Sequence, residues 1–159
     1  GCYQREPGDE TFARQIYAAV KKARLTPATI SGRSVDVIVQ YRARFVQKDG
    51  EQSLTLFANA GYEENVLAYG DDHVGAQRVL RKESWQKSCP RQSQFLVLAK
   101  ANVDWEGTPG AVSITHAGGL PVTVKCENAL KQALLSSDFI PAHAEGEAVP
   151  STFLEPFGS

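Results

Sequence analysis

The chain has 159 residues, 42% of them hydrophobic, enough for one buried core and too few for two independent ones. Its 17 basic and 18 acidic residues leave a net charge of −1, which excludes a global field favouring nucleic acid, an anionic membrane or an acidic ligand. The longest apolar run, Phe95 to Ala99, is stopped by Lys100 and falls far short of the roughly eighteen residues of a spanning helix.

The chain opens on Gly1-Cys2 and the polar stretch Tyr-Gln-Arg-Glu-Pro-Gly-Asp-Glu. This resembles the junction of a bacterial lipoprotein, in which a small residue precedes a lipidated cysteine and a tether follows. Residues 1–10 are therefore expected to form a flexible tether with Cys2 as the lipidation site; a tag scar or an ordinary surface cysteine is the alternative. Setting Cys2 aside leaves Cys89 and Cys126, which can form one disulfide in an oxidising compartment, or remain two reduced core residues in a cytosolic one.

The spacing of Phe12, Ile16, Ala19, Val20 and Ala23 predicts an amphipathic helix over residues 10–24. Alternation from Val35 to Val46 predicts one twelve-residue strand, and Lys48-Asp49-Gly50 predicts a hairpin returning through residues 53–58. After Gly70-Asp71-Asp72 a helix is expected, with Val74, Val79 and Leu80 inward. Three strands are expected at 94–103, 111–116 and 121–125, then a helix near 127–137 and a closing strand over 148–157. Pro150 and Pro156 imply that this last strand lies at a sheet edge or ends raggedly.

One phrase occurs twice. Leu25, Pro27, Ala28, Gly32 and Val35 stand at the same spacing as Phe139, Pro141, Ala142, Gly146 and Val149. Both copies read as helix, Pro-Ala corner, glycine turn and strand. The expected fold is α+β: antiparallel sheets with two or three helices, built from two pseudo-repeats, about 11–90 and 91–159, within a single domain over 11–159. The second copy, from Ala129 through Phe139-Ile140-Pro141-Ala142 to Gly146 and Val149, resembles the end of a TonB C-terminal domain. With the stretch from Phe95 the resemblance covers residues 95–157, and it is echoed at 12–46. It implies a TonB-like αβ module in the cell envelope. The chain departs from that family in lacking the Tyr-Pro entry segment, the Gly-x-Val-x-Val strand opening before the final helix and a Pro-rich spacer.

Catalytic motifs are scarce. His73, His116 and His143 stand in no metal-ligand spacing, so no metal and no cofactor is expected. Nucleophile-elbow, phosphate-loop and dinucleotide fingerprints are missing. Arg42 and Arg44 on a strand's polar face could form, with Arg33, a basic stripe able to receive a carboxylate or phosphate, and Trp105 among charged and polar neighbours suits either a half-buried anchor or a contact surface. The expectation is a non-enzymatic lipoprotein of the bacterial periplasm, anchored to the outer membrane only through Cys2. It would bind a protein or peptide partner, and no nucleic acid, by strand addition or as an inhibitor or immunity protein. The alternative is a small periplasmic hydrolase with a spatially assembled site.

Overall fold

The computed structural model describes residues 10–158. Cys2 and the stretch 1–9 of the expected tether lie outside the described residues. The fold is α+β. Helix α1 (Glu10–Lys22) ends on Lys21 and Lys22, whose charges oppose the negative end of the helix dipole. Its Phe12 ring stacks on Phe45 at 4.4 Å between centroids. Two short strands follow, β1 (Thr29–Ile30) and β2 (Arg33–Ser34), then β3 (Val37–Ile38), β4 (Arg42–Lys48) and β5 (Glu51–Phe57). The β4–β5 hairpin turns at Asp49 and Gly50, as the sequence predicts.

The expected strand over 35–46 is broken at residues 39–41. The chain changes partners there: Val37 and Ile38 pair with a later strand, the Gln40 side chain bonds the Leu154 carbonyl, and Arg42 starts the hairpin. The middle of the chain also departs from expectation. Helix α2 (Glu63–Tyr69) precedes Gly70, and the stretch expected as helix holds β6 (Gln77–Val79). Pairing on both flanks, with β3 on one side, captures this backbone, so tertiary hydrogen bonds override a helical spacing. Val79 is buried as expected, whereas Leu80 is exposed.

Strands β7 (Phe95–Val103) and β8 (Pro109–Gly119) come next. Residues 121–125 are not the expected strand, because helix α3 (Val124–Leu135) begins inside them. The Thr123 hydroxyl accepts from the Cys126 N–H at 3.2 Å and caps its start. Four strands close the described chain: β9 (Phe139–Ile140), β10 (Ala142–Ala144), β11 (Glu147–Val149) and β12 (Ser151–Gly158). The expected closing strand is thus split at Pro150, and its longer part does lie at a sheet edge.

The two copies of the Pro-Ala-Gly phrase form hairpins with one register. Val35 N–H bonds Ala28 carbonyl at 2.9 Å and Thr29 faces Ser34; Ala142 faces Val149 and His143 faces Ala148. Both turn through two residues of positive φ, Ser31-Gly32 and Glu145-Gly146, the backbone of a type I′ turn. The first hairpin is exposed on both strands, whereas the second anchors fully buried Ala142.

The central sheet has the order β12-β7-β8. Alternate residues of β7 (Phe95, Val97, Ala99, Ala101, Val103) and of β12 (Phe153, Phe157) are buried, and α3 contributes Cys126, Leu130 and Leu134 to the same core. Trp85 wedges edge-on between Phe95 and Phe157, at 6.5 and 5.2 Å. The Cys89–Cys126 disulfide ties the segment behind Trp85 to α3.

Beneath Trp85 lies an ionic cluster with no counterpart in the sequence reading. Arg78 on β6 is 2% exposed and holds Glu155 through two hydrogen bonds of 2.7 Å. A third contact reaches Glu83, which also accepts from the Trp85 indole. Burial pushes the Glu155 carboxyl above its ordinary range, and the fork of Arg78 opposes the shift.

Candidate functional site

The two edges of the central sheet are built differently. On β12, the Asn65 side chain acts as a surrogate strand: its Nδ2 donates to the Thr152 carbonyl at 2.8 Å and its Oδ1 accepts from the Thr152 N–H at 2.9 Å. The Gln40 amide donates to the Leu154 carbonyl, Tyr69 Oη donates to the Pro150 carbonyl at 2.8 Å, and Pro156 has no N–H to offer. That edge is closed by side chains and proline.

The outer edge of β8 has no strand or side-chain partner of this kind among the described residues. Because Thr152 and Leu154 point away from β7, the alternation of the antiparallel ladder turns the backbone groups of Val112, Ile114 and His116 outward from β8. Register irregularities leave Gly110, Ala111 and Ala117 without partners on β7, so the regular stretch is Val112-Ser-Ile-Thr-His116. No Lys, Arg, Asp or Glu occurs between Pro109 and Gly119. Val112 and Ile114 lean on the core, and Ser113 and Thr115 are exposed. Exposed apolar groups flank the strand: Trp105 (59% exposed) in the turn before it, Leu120 (53%) and Val124 (72%) after it.

A cavity of about 490 Å³ opens where β8 begins, between α2, the β7–β8 turn and the start of β12. Glu64, Asn102, Asp104 and Tyr69 are among its lining residues. Asp104 Oδ1 accepts from the N–H groups of Glu106 and Thr108, at 3.0 and 2.7 Å, which fixes the turn carrying Trp105. The Lys100 ammonium, bonded at 2.9 Å, holds the Glu64 carboxyl below its usual range.

The arginines expected to form a stripe divide. Arg42 and Arg44 converge on Asp71, Arg42 at 2.7 Å, and both guanidinium groups lie over the Phe57 ring, at 4.2 and 4.9 Å. Hydrogen bonding from Arg44 and the charge of Arg42 hold the Asp71 carboxyl below its ordinary range. Arg33 stands on the exposed first hairpin and does not share that carboxylate. The histidines are dispersed: His73 is buried and its Nδ1 donates to the Gly70 carbonyl at 2.7 Å, His143 Nδ1 meets the Pro141 carbonyl at 3.0 Å, and His116 Nε2 meets the Leu120 carbonyl at 3.2 Å. Cys89 is bonded to Cys126 and carries no free thiol. Among the described residues, no group of three or more His, Cys, Asp or Glu side chains is placed to hold a metal ion. No helix among them is long and apolar enough to cross a membrane.

Sequence reasoning located the β7–β8 hairpin and singled out Trp105, which is exposed in the turn, but missed Gln40 and Asn65. An amide that substitutes for a strand leaves no periodic signal, so only the spatial neighbour reveals it. Compared with known proteins, the chain matches no protein family, no curated protein and no solved structure.

Proposed function

We propose that this chain is a non-enzymatic lipoprotein of the bacterial envelope, held at the outer membrane through Cys2, that binds an extended segment of a protein or peptide by strand addition to β8. One observation carries the reading: of two edges on the same sheet, β12 is sealed by Asn65, Gln40 and Pro156, while the outer edge of β8 is uncharged and unpaired among the described residues. Soluble proteins commonly protect such edges with charge or cover, and an open edge offers main-chain hydrogen bonds to an incoming strand. Trp105 at one end and Leu120 at the other supply apolar anchors for its side chains. The succession of hairpin, helix, glycine turn and last strand over residues 95–158 supports the TonB C-terminal-like reading of this half.

Selection from a displayed random-peptide library tests the proposal. Enriched peptides are expected to share an apolar, β-prone window and to lose binding to the Ser113→Lys/Thr115→Lys variant. Peptides that bind this variant as well as the unaltered chain would place recognition elsewhere. Mass spectrometry of the protein isolated from envelopes tests the anchor, with a diacylglyceryl modification expected on Cys2.

A further inference from the structure

The regular stretch of β8 is complementary to itself. We infer that β8 pairs antiparallel with β8 of a second copy about a two-fold axis at Ile114, joining two central sheets into one of six strands and occupying the binding edge until a partner displaces it. The inference rests on the open β8 edge of the strand-addition reading, since both use the same main-chain groups.

Four observations support a second copy as the occupant. Pairing about Ile114 sets Val112 opposite His116 and Ser113 opposite Thr115, so the three outward-facing residues of one chain meet their counterparts in hydrogen-bonded pairs. Ser against Thr is a favourable cross-strand pair, and β8 has no Lys, Arg, Asp or Glu to set like charges against each other. The irregular positions, Gly110-Ala111 and Ala117, lie on both sides of the axis, so the paired segment ends at similar places in each direction. An antiparallel arrangement also brings the end of β8 that carries Trp105 alongside the end of the second copy that carries Leu120 and Val124, covering groups that the single chain leaves exposed.

The same geometry limits the assembly. Growth of a β ribbon needs a second open edge, and β12 is closed by Asn65, Gln40 and Pro156. The contact is isologous and ends at two copies. With five paired residues at its centre it sits at the small end of interfaces, so the dimer forms and dissociates with concentration.

Cross-linking in a Cys2→Ser background tests the register, because Ser113 and Thr115 of opposing chains would form a non-hydrogen-bonded pair with Cβ atoms about 4.5–5.5 Å apart, close enough for a disulfide. Under mild oxidation the Ser113→Cys/Thr115→Cys double variant is expected to give covalent dimers, and each single variant to stay monomeric on a non-reducing gel. Sedimentation of the unaltered chain is expected to show a concentration-dependent dimer that the Ser113→Lys/Thr115→Lys variant lacks, with unchanged melting temperature. A monomer at every accessible concentration, or single variants that cross-link as well as the double, would overturn the inference. If the chain is monomeric yet still binds library peptides through β8, self-pairing fails and strand addition stands. If the double variant cross-links and no peptide is enriched, strand addition to a foreign partner fails and self-pairing stands.

Discussion

The β1–β2 and β10–β11 hairpins share turn type and register, with Pro, Ala, Gly and Val at matched positions, yet they sit in opposite surroundings. The second leads directly into β12, and its Ala142 is buried in the same core as Phe139 and Leu130 and Leu134 of α3. The first is exposed on both strands and leads into a strand that breaks after two residues. A local motif of about ten residues therefore fixes its own backbone and says little about the stability of what surrounds it. That is set by how much apolar surface the neighbouring elements can bury.

Truncation is expected to separate the two surroundings most sharply. Phe153 is buried and packs edge-on against Phe139 at 5.1 Å, so Phe153→Ala should cost about 3–5 kcal/mol. Phe12, 39% exposed against Phe45, should lose only about 1 kcal/mol on the same change. Chemical denaturation of both variants measures the difference; equal losses would mean that α1 is as firmly seated as β12. Removing the disulfide with Cys89→Ser/Cys126→Ser should cost roughly 3–4 kcal/mol, since the bridge closes a loop of 37 residues in the core half. Intact mass under non-reducing conditions reports the bridge directly, and two free thiols besides Cys2 would count against it.

Glycine replacement sharpens the hairpin comparison itself. Neither Gly32 nor Gly146 has an atom within 4 Å of where a Cβ would stand, so valine is opposed only by the backbone, at φ 76° and 88°. Strain of about 1–3 kcal/mol follows at either turn. Gly146→Val should lower the melting temperature, because its hairpin is tied to the core. Gly32→Val should be absorbed mostly by local opening, visible as faster amide exchange at Val35. An unchanged melting temperature in both would indicate that neither turn is coupled to global unfolding.

Acid should give the smallest effect. The folded pKa of Asp71 lies below its ordinary value, so the attachment of β4 through Arg42 and Arg44 is present above about pH 4 and is lost as pH falls through the folded pKa. Glu155 shifts the other way, since burial raises its pKa, and its protonation on acidification does not remove stability in the same manner. Corrected for the intrinsic slowing of amide exchange in acid, protection in β4–β5 is expected to drop below that pH before protection in β7 does. A simultaneous drop would show the two halves opening as one unit.

How much of this was legible in the residues depended on where each element found its partners. The β4–β5 hairpin, the amphipathic α1 and the alternating β7 carry their pairing within a short span, and sequence patterns locate them to within a few positions, whereas the arms of the β1–β2 and β10–β11 hairpins are too short for alternation to show and read only as a corner and a glycine turn. The twelve-residue strand over 35–46 failed because three separate partners divide its backbone, and β6 failed because it is held by strands about 40 and 60 residues away. Arg78 and Glu155 were invisible for the same reason, lying 77 positions apart. Of the candidate site, Trp105 and the hairpin beside it could be read from local pattern. The openness of β8 could not, since it depends on which edge the distant Asn65 and Gln40 happen to close.

That closure has a consequence for biosynthesis. Both amides emerge long before the strand they protect, and β7 waits for its second neighbour until Gly158 has been made. Throughout that interval an alternating Phe-x-Val-x-Ala ribbon is available to any other nascent chain, so loss of the segment from Ser151 onward would convert a quiet interior strand into a nucleus for aggregation.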